Sequence, residues 1–249
     1  MDKGSRRNRI KQMPISVIIP NLITVMALCS GLTGIRFALQ ERWEFAIGAI
    51  ALAAILDTLD GRMARLLKGQ SKFGAELDSL SDFISFGLAP SLLINLCFTH
   101  ELGRIGWVIS LFYIVCAALR LARFNIENMK EQSKVFYGIP SPAAAGLIMI
   151  PLYLNFIDQV QFTINYPLIC AVLTTFAGIM MISRVPTPSV KNLKVKTLYF
   201  RLMIISVAIV LIFLISYFWQ TTLLVAIAYL LISLLSLLTY FFTFFRRVS

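Results

Sequence analysis

The sequence predicts an all-α fold, a polytopic membrane helix bundle of about eight transmembrane helices with both termini in the cytoplasm. Three observations carry that expectation. Hydrophobic residues make up 58% of the 249 and charged residues only 14%, with a mean hydropathy of +0.81, far from the composition of a soluble domain. Apolar runs recur along the whole chain, and a bilayer core about 30 Å thick takes about 20 apolar residues per helix. Finally, the basic residues segregate between alternate connections, as the positive-inside rule requires.

Residues 1–15, "MDKGSRRNRIKQMPI", form a basic cytoplasmic segment. It is too densely basic before its first apolar run to resemble a cleaved signal peptide. The remainder reads as one transmembrane catalytic domain, so that 1–249 is a single unit. Crossings are expected at about 16–39, 43–64, 79–98, 105–123, 142–157, 166–183, 202–218 and 222–245. Pro151 lies inside the fifth and should kink or break it. The last two carry no recognisable motif. Cys29, Cys97, Cys116 and Cys170 stand singly in apolar segments and read as packing residues.

With the amino terminus inside, only Arg36, Arg42 and Arg104 of the 23 basic residues fall on the outer side. That asymmetry fixes the orientation. It also argues against a nucleic-acid partner, despite a net charge of +11, because the cations are spread over several juxtamembrane segments without a binding module. They suit anionic membrane lipids.

Against this background the stretch "DTLDGRMARLLKGQSKFGAELDSLSD" places four aspartates at the cytoplasmic ends of two neighbouring helices. Asp57 and Asp60 are spaced i, i+3, and Asp78 and Asp82 i, i+4, so each pair shares a helical face. A short basic connection folds the two helices into a hairpin on which the four carboxylates converge. Helix caps or surface residues would explain Asp78 or Glu76 alone. Four such groups at membrane depth point to chemistry. Oxygen ligands without cysteine or histidine select a hard cation, so one or two Mg²⁺ or Mn²⁺ ions are expected. Gly61 and Gly74 leave room for a ligand near the backbone, Ala64 is small, and Arg65 can grip a phosphate with its planar fork.

The pattern Asp57-x-x-Asp60-Gly61-x-x-Ala64-Arg65, eight residues, Gly74-x-x-x-Asp78-x-x-x-Asp82 resembles the complete signature of the CDP-alcohol phosphotransferase family. The resemblance implies transfer of a substituted phosphate from a CDP-linked donor to an alcohol, with release of CMP. It implies that Asp57, Asp60 and Asp78 hold two divalent ions, and that Asp82 is the general base and a further metal contact. It also implies a homodimer.

Further stretches narrow the acceptor: "IPNLITVMALCSG", "DSLSDFISFGLAPS", "ALRLARFN", "YGIPSPAAAG" and "SRVPTPSVKNLK". Over most of residues 18–195 these are similar to membrane-embedded phosphatidylserine synthases, implying CDP-diacylglycerol and L-serine as substrates in the cytoplasmic membrane. Serine carries a carboxylate, and Arg120 and Arg123, at i, i+3 before Asn125, offer it cations; the same arginines would equally serve as positive-inside anchors or lipid-phosphate partners. Asn21 and Thr24 could hydrogen-bond the cytosine or ribose, or simply mark a helix start. Two other readings compete. A relative using glycerol 3-phosphate or inositol phosphate would need a denser basic pocket. A divalent-cation transporter would need acids along several helices through the bilayer, and the acids cluster on one hairpin.

Overall fold

The apolar runs become helices in the computed structural model, which describes residues 15–128, 138–157, 165–183, 185, 212–214 and 216–248. Among these residues there is no strand. Helix α1 spans Ile15–Leu39 and α2 spans Trp43–Leu66, joined by a tight turn. Next, α3 (Lys72–Asp82) passes through one widened π-helical turn (Phe83–Leu88) into α4 (Ala89–Cys97) without interruption. A 3₁₀ turn at Thr99–Leu102 leads to α5 (Arg104–Asn128). Then follow α6 (Ser141–Ile148), α7 (Ile150–Phe156), α8 (Tyr166–Ile182) and α9 (Phe218–Val248).

Four of these segments are long and apolar enough to cross a bilayer: Ile15–Leu39, Lys72–Cys97, Arg104–Ile126 and Phe218–Tyr240. Helix α2 has the length, at 24 residues, but its acids dilute its hydropathy. The expected third crossing begins at Lys72 rather than near 79, because Ser71 caps the helix by accepting a hydrogen bond from the Gly74 amide at 2.9 Å. The expected fifth crossing is two short helices. Pro151 has no N–H to offer the Leu147 carbonyl, and the chain bends at Met149 (φ −84°, ψ −1°). Of the expected seventh crossing, 202–218, residues 202–211 and 215 lie outside the described residues.

Helices α1 and α2 form the most extensive pair, and small residues explain why. Ala27, Ser30, Gly31, Gly34 and Ala38 of α1 are buried, as are Ala46 and Ala53 of α2. Small side chains let two backbones approach closely where no water drives association. The Ser30 hydroxyl crosses the seam to the Ala49 carbonyl at 2.8 Å. At Gly34 a β-carbon would meet the Ala46 carbonyl oxygen at 3.3 Å. Large side chains gather deeper, where Phe86, Leu93, Tyr113, Leu147, Ile148, Leu152, Met180 and Met181 are fully buried. The outer faces of α1, α5 and α9 expose Leu22, Leu32, Val108, Val115, Leu224 and Leu235, an arrangement suited to lipid.

The π-helical turn follows Asp82 directly. Pro90 cannot donate to the Phe86 carbonyl four residues back, and the Tyr113 hydroxyl of α5 donates to it at 3.0 Å. That bond fixes the α3–α4 rod against α5 one turn beyond the last aspartate.

Candidate active site

Two helices supply the acidic cluster and a third packs against them. Asp57 and Asp60 project from the last turns of α2, Asp78 and Asp82 from α3, and α1 backs both. The connection between α2 and α3 is short because Leu67 and Gly69 fold back to the Met63 and Ala64 carbonyls. Gly69 is required by proximity as well, since a β-carbon there would overlap the Ser16 carbonyl of α1. Pro20 leaves that carbonyl without its helical N–H partner, which opens room for the loop.

Asp57, Asp60 and Asp78 each bring a carboxylate oxygen within 4.8 Å of the other two. Asp60 is almost fully buried, at 3% exposure. The Thr24 hydroxyl donates to its Oδ2 at 2.6 Å, with the Pro20 carbonyl as a second acceptor at 3.1 Å. Three anions at this spacing repel strongly in a medium of reduced dielectric. The donor set is all oxygen, so the residues fit Mg²⁺ or Mn²⁺. Asp82 is not one of that triad but lies against its member Asp57 and within the field of Arg120. Its Oδ1 is buried without a hydrogen-bond partner.

Beside the triad lies a cavity of about 360 Å³. All seven residues expected at the CDP-linked substrate line it: Asn21, Thr24, Asp60, Gly61, Ala64, Arg65 and Gly74. Gly74 matters for space, because a β-carbon there would come within 2.7 Å of Asn21 Oδ1. Thr24 faces the cavity but spends its hydroxyl on Asp60. Sequence reading missed Pro20, Gly69, Gln70, Ser71 and Ala75 in the same wall. Of these, Ser71 was detectable as an N-cap before the α3 run.

The expected acceptor residues divide. Arg120 Nη1 donates to Ser141 Oγ at 2.5 Å, at the first turn of α6, and its Nε is buried without a partner. Arg123 Nη1 donates to the Ile182 carbonyl at the end of α8, at 3.0 Å. Asn125 leaves both arginines and joins the outer face of α3, with Ser79 Oγ at 3.0 Å from its Oδ1 and Glu76 Oε2 at 3.5 Å from its Nδ2. Helical spacing could not separate these roles, which depend on which neighbour each turn of α5 meets.

Comparison with known proteins agrees with the geometry. A family model described as CDP-alcohol phosphatidyltransferase matches residues 17–180. A Mycobacterium tuberculosis protein is 45% identical over 133 residues, covering 51% of this chain and 46% of its own. A Helicobacter pylori protein is 36% identical over 201 residues, covering 80% and 84%, and a Bacillus subtilis protein is 34% identical over 174 residues, covering 70% and 92%. All three are named CDP-diacylglycerol–serine O-phosphatidyltransferase. The chain spans about half the length of the mycobacterial relative. With the matched region running from the start of α1 into α8 and enclosing every aspartate of the cluster, the chain belongs to the CDP-alcohol phosphatidyltransferase family.

Proposed function

We propose that this protein is a CDP-diacylglycerol–serine O-phosphatidyltransferase working at the cytoplasmic face of the cell membrane. The observation that carries the reading is the cavity itself: seven residues expected to hold a CDP-linked substrate line it, next to three convergent carboxylates. The names of the relatives support serine as the acceptor. The distribution of basic residues supports eight crossings with both termini inside, and the family resemblance supports a homodimer of single-domain chains.

Asp57, Asp60 and Asp78 would hold two divalent ions, Mg²⁺ or Mn²⁺. Bound there, the ions would neutralise the diphosphate and the charge gathering on departing CMP. The protein's own groups do the rest. Arg65 and the backbone at Gly61 and Gly74 seat the nucleotide diphosphate. Asp82, whose Oδ1 has no partner, accepts the proton of the serine hydroxyl. The hydroxyl oxygen forms its bond to the phosphatidyl phosphorus as the bridging P–O bond to CMP breaks, and the pair of electrons leaves with CMP. Arg120, whose charge reaches Asp82, receives the serine carboxylate. Arg123 ties α5 to the end of α8, and Asn125 ties it to the flank of α3.

The test is CMP release by the purified full chain given CDP-diacylglycerol, Mn²⁺ or Mg²⁺, and one alcohol at a time. L-serine should drive turnover. Turnover with glycerol 3-phosphate or inositol phosphate but not with L-serine would overturn the acceptor, and no CMP release with any alcohol would overturn the reaction.

A further inference from the structure

The stretch "GIPSP" before α6 is not accounted for by the aspartate chemistry, yet it is built with unusual care. Gly138 adopts φ +75°, a left-handed conformation that suits glycine. A β-carbon there would stand 2.9 Å from both the Met180 and Met181 carbonyl oxygens and 3.1 Å from that of Ser183. The Gly138 amide donates to the Val185 carbonyl at 3.0 Å and the Ile139 amide to Met180 at 3.3 Å. The segment is thus strapped across the end of α8, where Arg123 also binds. Its last act is to begin α6 with Ser141, which is fully buried and receives Arg120 Nη1.

An arginine side chain has several rotatable bonds, and a guanidinium at a substrate site is selective only when its plane is fixed. Arg120 has one Nη arm anchored on Ser141 and its Nε enclosed without a partner. Ser141 cannot drift, because Ile139 and Ser141 are both fully buried and tied through the strap to α8. Asp82 lies within the field of the Arg120 charge, and so does the Tyr229 phenol of α9.

We propose that Ser141 is a positioning residue for acceptor recognition, orienting Arg120 so that its free N–H edge meets the acceptor carboxylate while the acceptor hydroxyl lies at Asp82. This rests on the assignment of Arg120 to the acceptor. Ser141 touches no substrate; its effect passes through the guanidinium.

The experiment is steady-state CMP release with the full-length protein, varying L-serine and CDP-diacylglycerol separately. Ser141→Ala should raise the KM for L-serine about tenfold, the expected effect of losing a hydrogen bond to a charged group, with kcat and the KM for CDP-diacylglycerol within about twofold of the parent. Ser141→Thr, which keeps the hydroxyl, should restore most of the serine affinity. In the Arg120→Lys background, where the Nη1 arm is gone, Ser141→Ala should add nothing further. An unchanged serine KM in Ser141→Ala, or an equal loss toward both substrates, overturns the proposal. If Ser141→Ala does not fold, Ser141→Cys, near-isosteric but a much weaker acceptor, takes its place: a raised serine KM that vanishes in the Arg120→Lys background supports the proposal, and an unchanged serine KM overturns it. Should Arg120→Lys itself leave the serine KM unchanged, the acceptor assignment falls; a raised KM there with none in Ser141→Ala removes Ser141 alone.

Discussion

The hydroxyl of Thr24 lies 2.6 Å from Oδ2 of Asp60, so the most buried carboxylate of the cluster is held by a residue of a different helix, 36 positions earlier. The bond spans α1 and α2 at the floor of the cavity. It keeps one lone pair of Asp60 engaged while the carboxylate still brings an oxygen to the cluster with Asp57 and Asp78. Because Thr24 is itself only 4% exposed, no water can readily take its place.

Replacing Thr24 by valine keeps the shape and removes the hydroxyl. Metal activation should weaken roughly tenfold, as expected for a lost hydrogen bond to a charged group. Half-saturating Mn²⁺ in the CMP-release assay checks it.

Removal of divalent ions by a chelator should abolish turnover, and Mg²⁺ or Mn²⁺ should restore it, because three carboxylates within 4.8 Å need a cation to share the site with a diphosphate. Full activity in chelator would contradict the role given to Asp57, Asp60 and Asp78.

Asp82 and Asp57 should fail differently. Asp82→Asn should lose catalysis by a factor of roughly 100 or more, the scale of general-base removal, while keeping affinity for the CDP-linked substrate and Mn²⁺. Asp57→Asn should lose both. Equilibrium binding of CDP-diacylglycerol to each variant separates the two cases, and equal full activity would refute both roles.

Gly74→Ala adds one carbon where the cavity has none to spare, 2.7 Å from Asn21 Oδ1 and 3.1 Å from Ser71 Oγ. Its KM for CDP-diacylglycerol should rise while that for L-serine changes little. A mirror-image result would place the nucleotide elsewhere.

Gly138→Ala tests the strap rather than the chemistry. A left-handed backbone costs about 1–2 kcal/mol for a residue with a β-carbon, and crowding by the carbonyls at the end of α8 adds to it. Thermal unfolding in detergent should show a lower midpoint.

Much of this was legible in one dimension. Helical spacing alone assigned the four aspartates to two faces, and hydropathy assigned α1, α5 and α9 to apolar spans. Composition does this well because a bilayer rewards length and apolarity in a way that any window of residues records. The carboxylates stood out for the same reason, being costly in that environment.

The partners of each polar group were set by the tertiary fold. Arg120, Arg123 and Asn125 look equivalent along α5, yet they reach Ser141, the Ile182 carbonyl and the Ser79–Glu76 flank respectively. Thr24, read as a nucleotide contact, lines the cavity and also holds Asp60. Sequence therefore determined which residues carry charge at membrane depth and on which face. Which of them meet was decided by helix–helix packing, because a hydrogen bond between residues tens of positions apart depends on crossing geometry that no local period encodes.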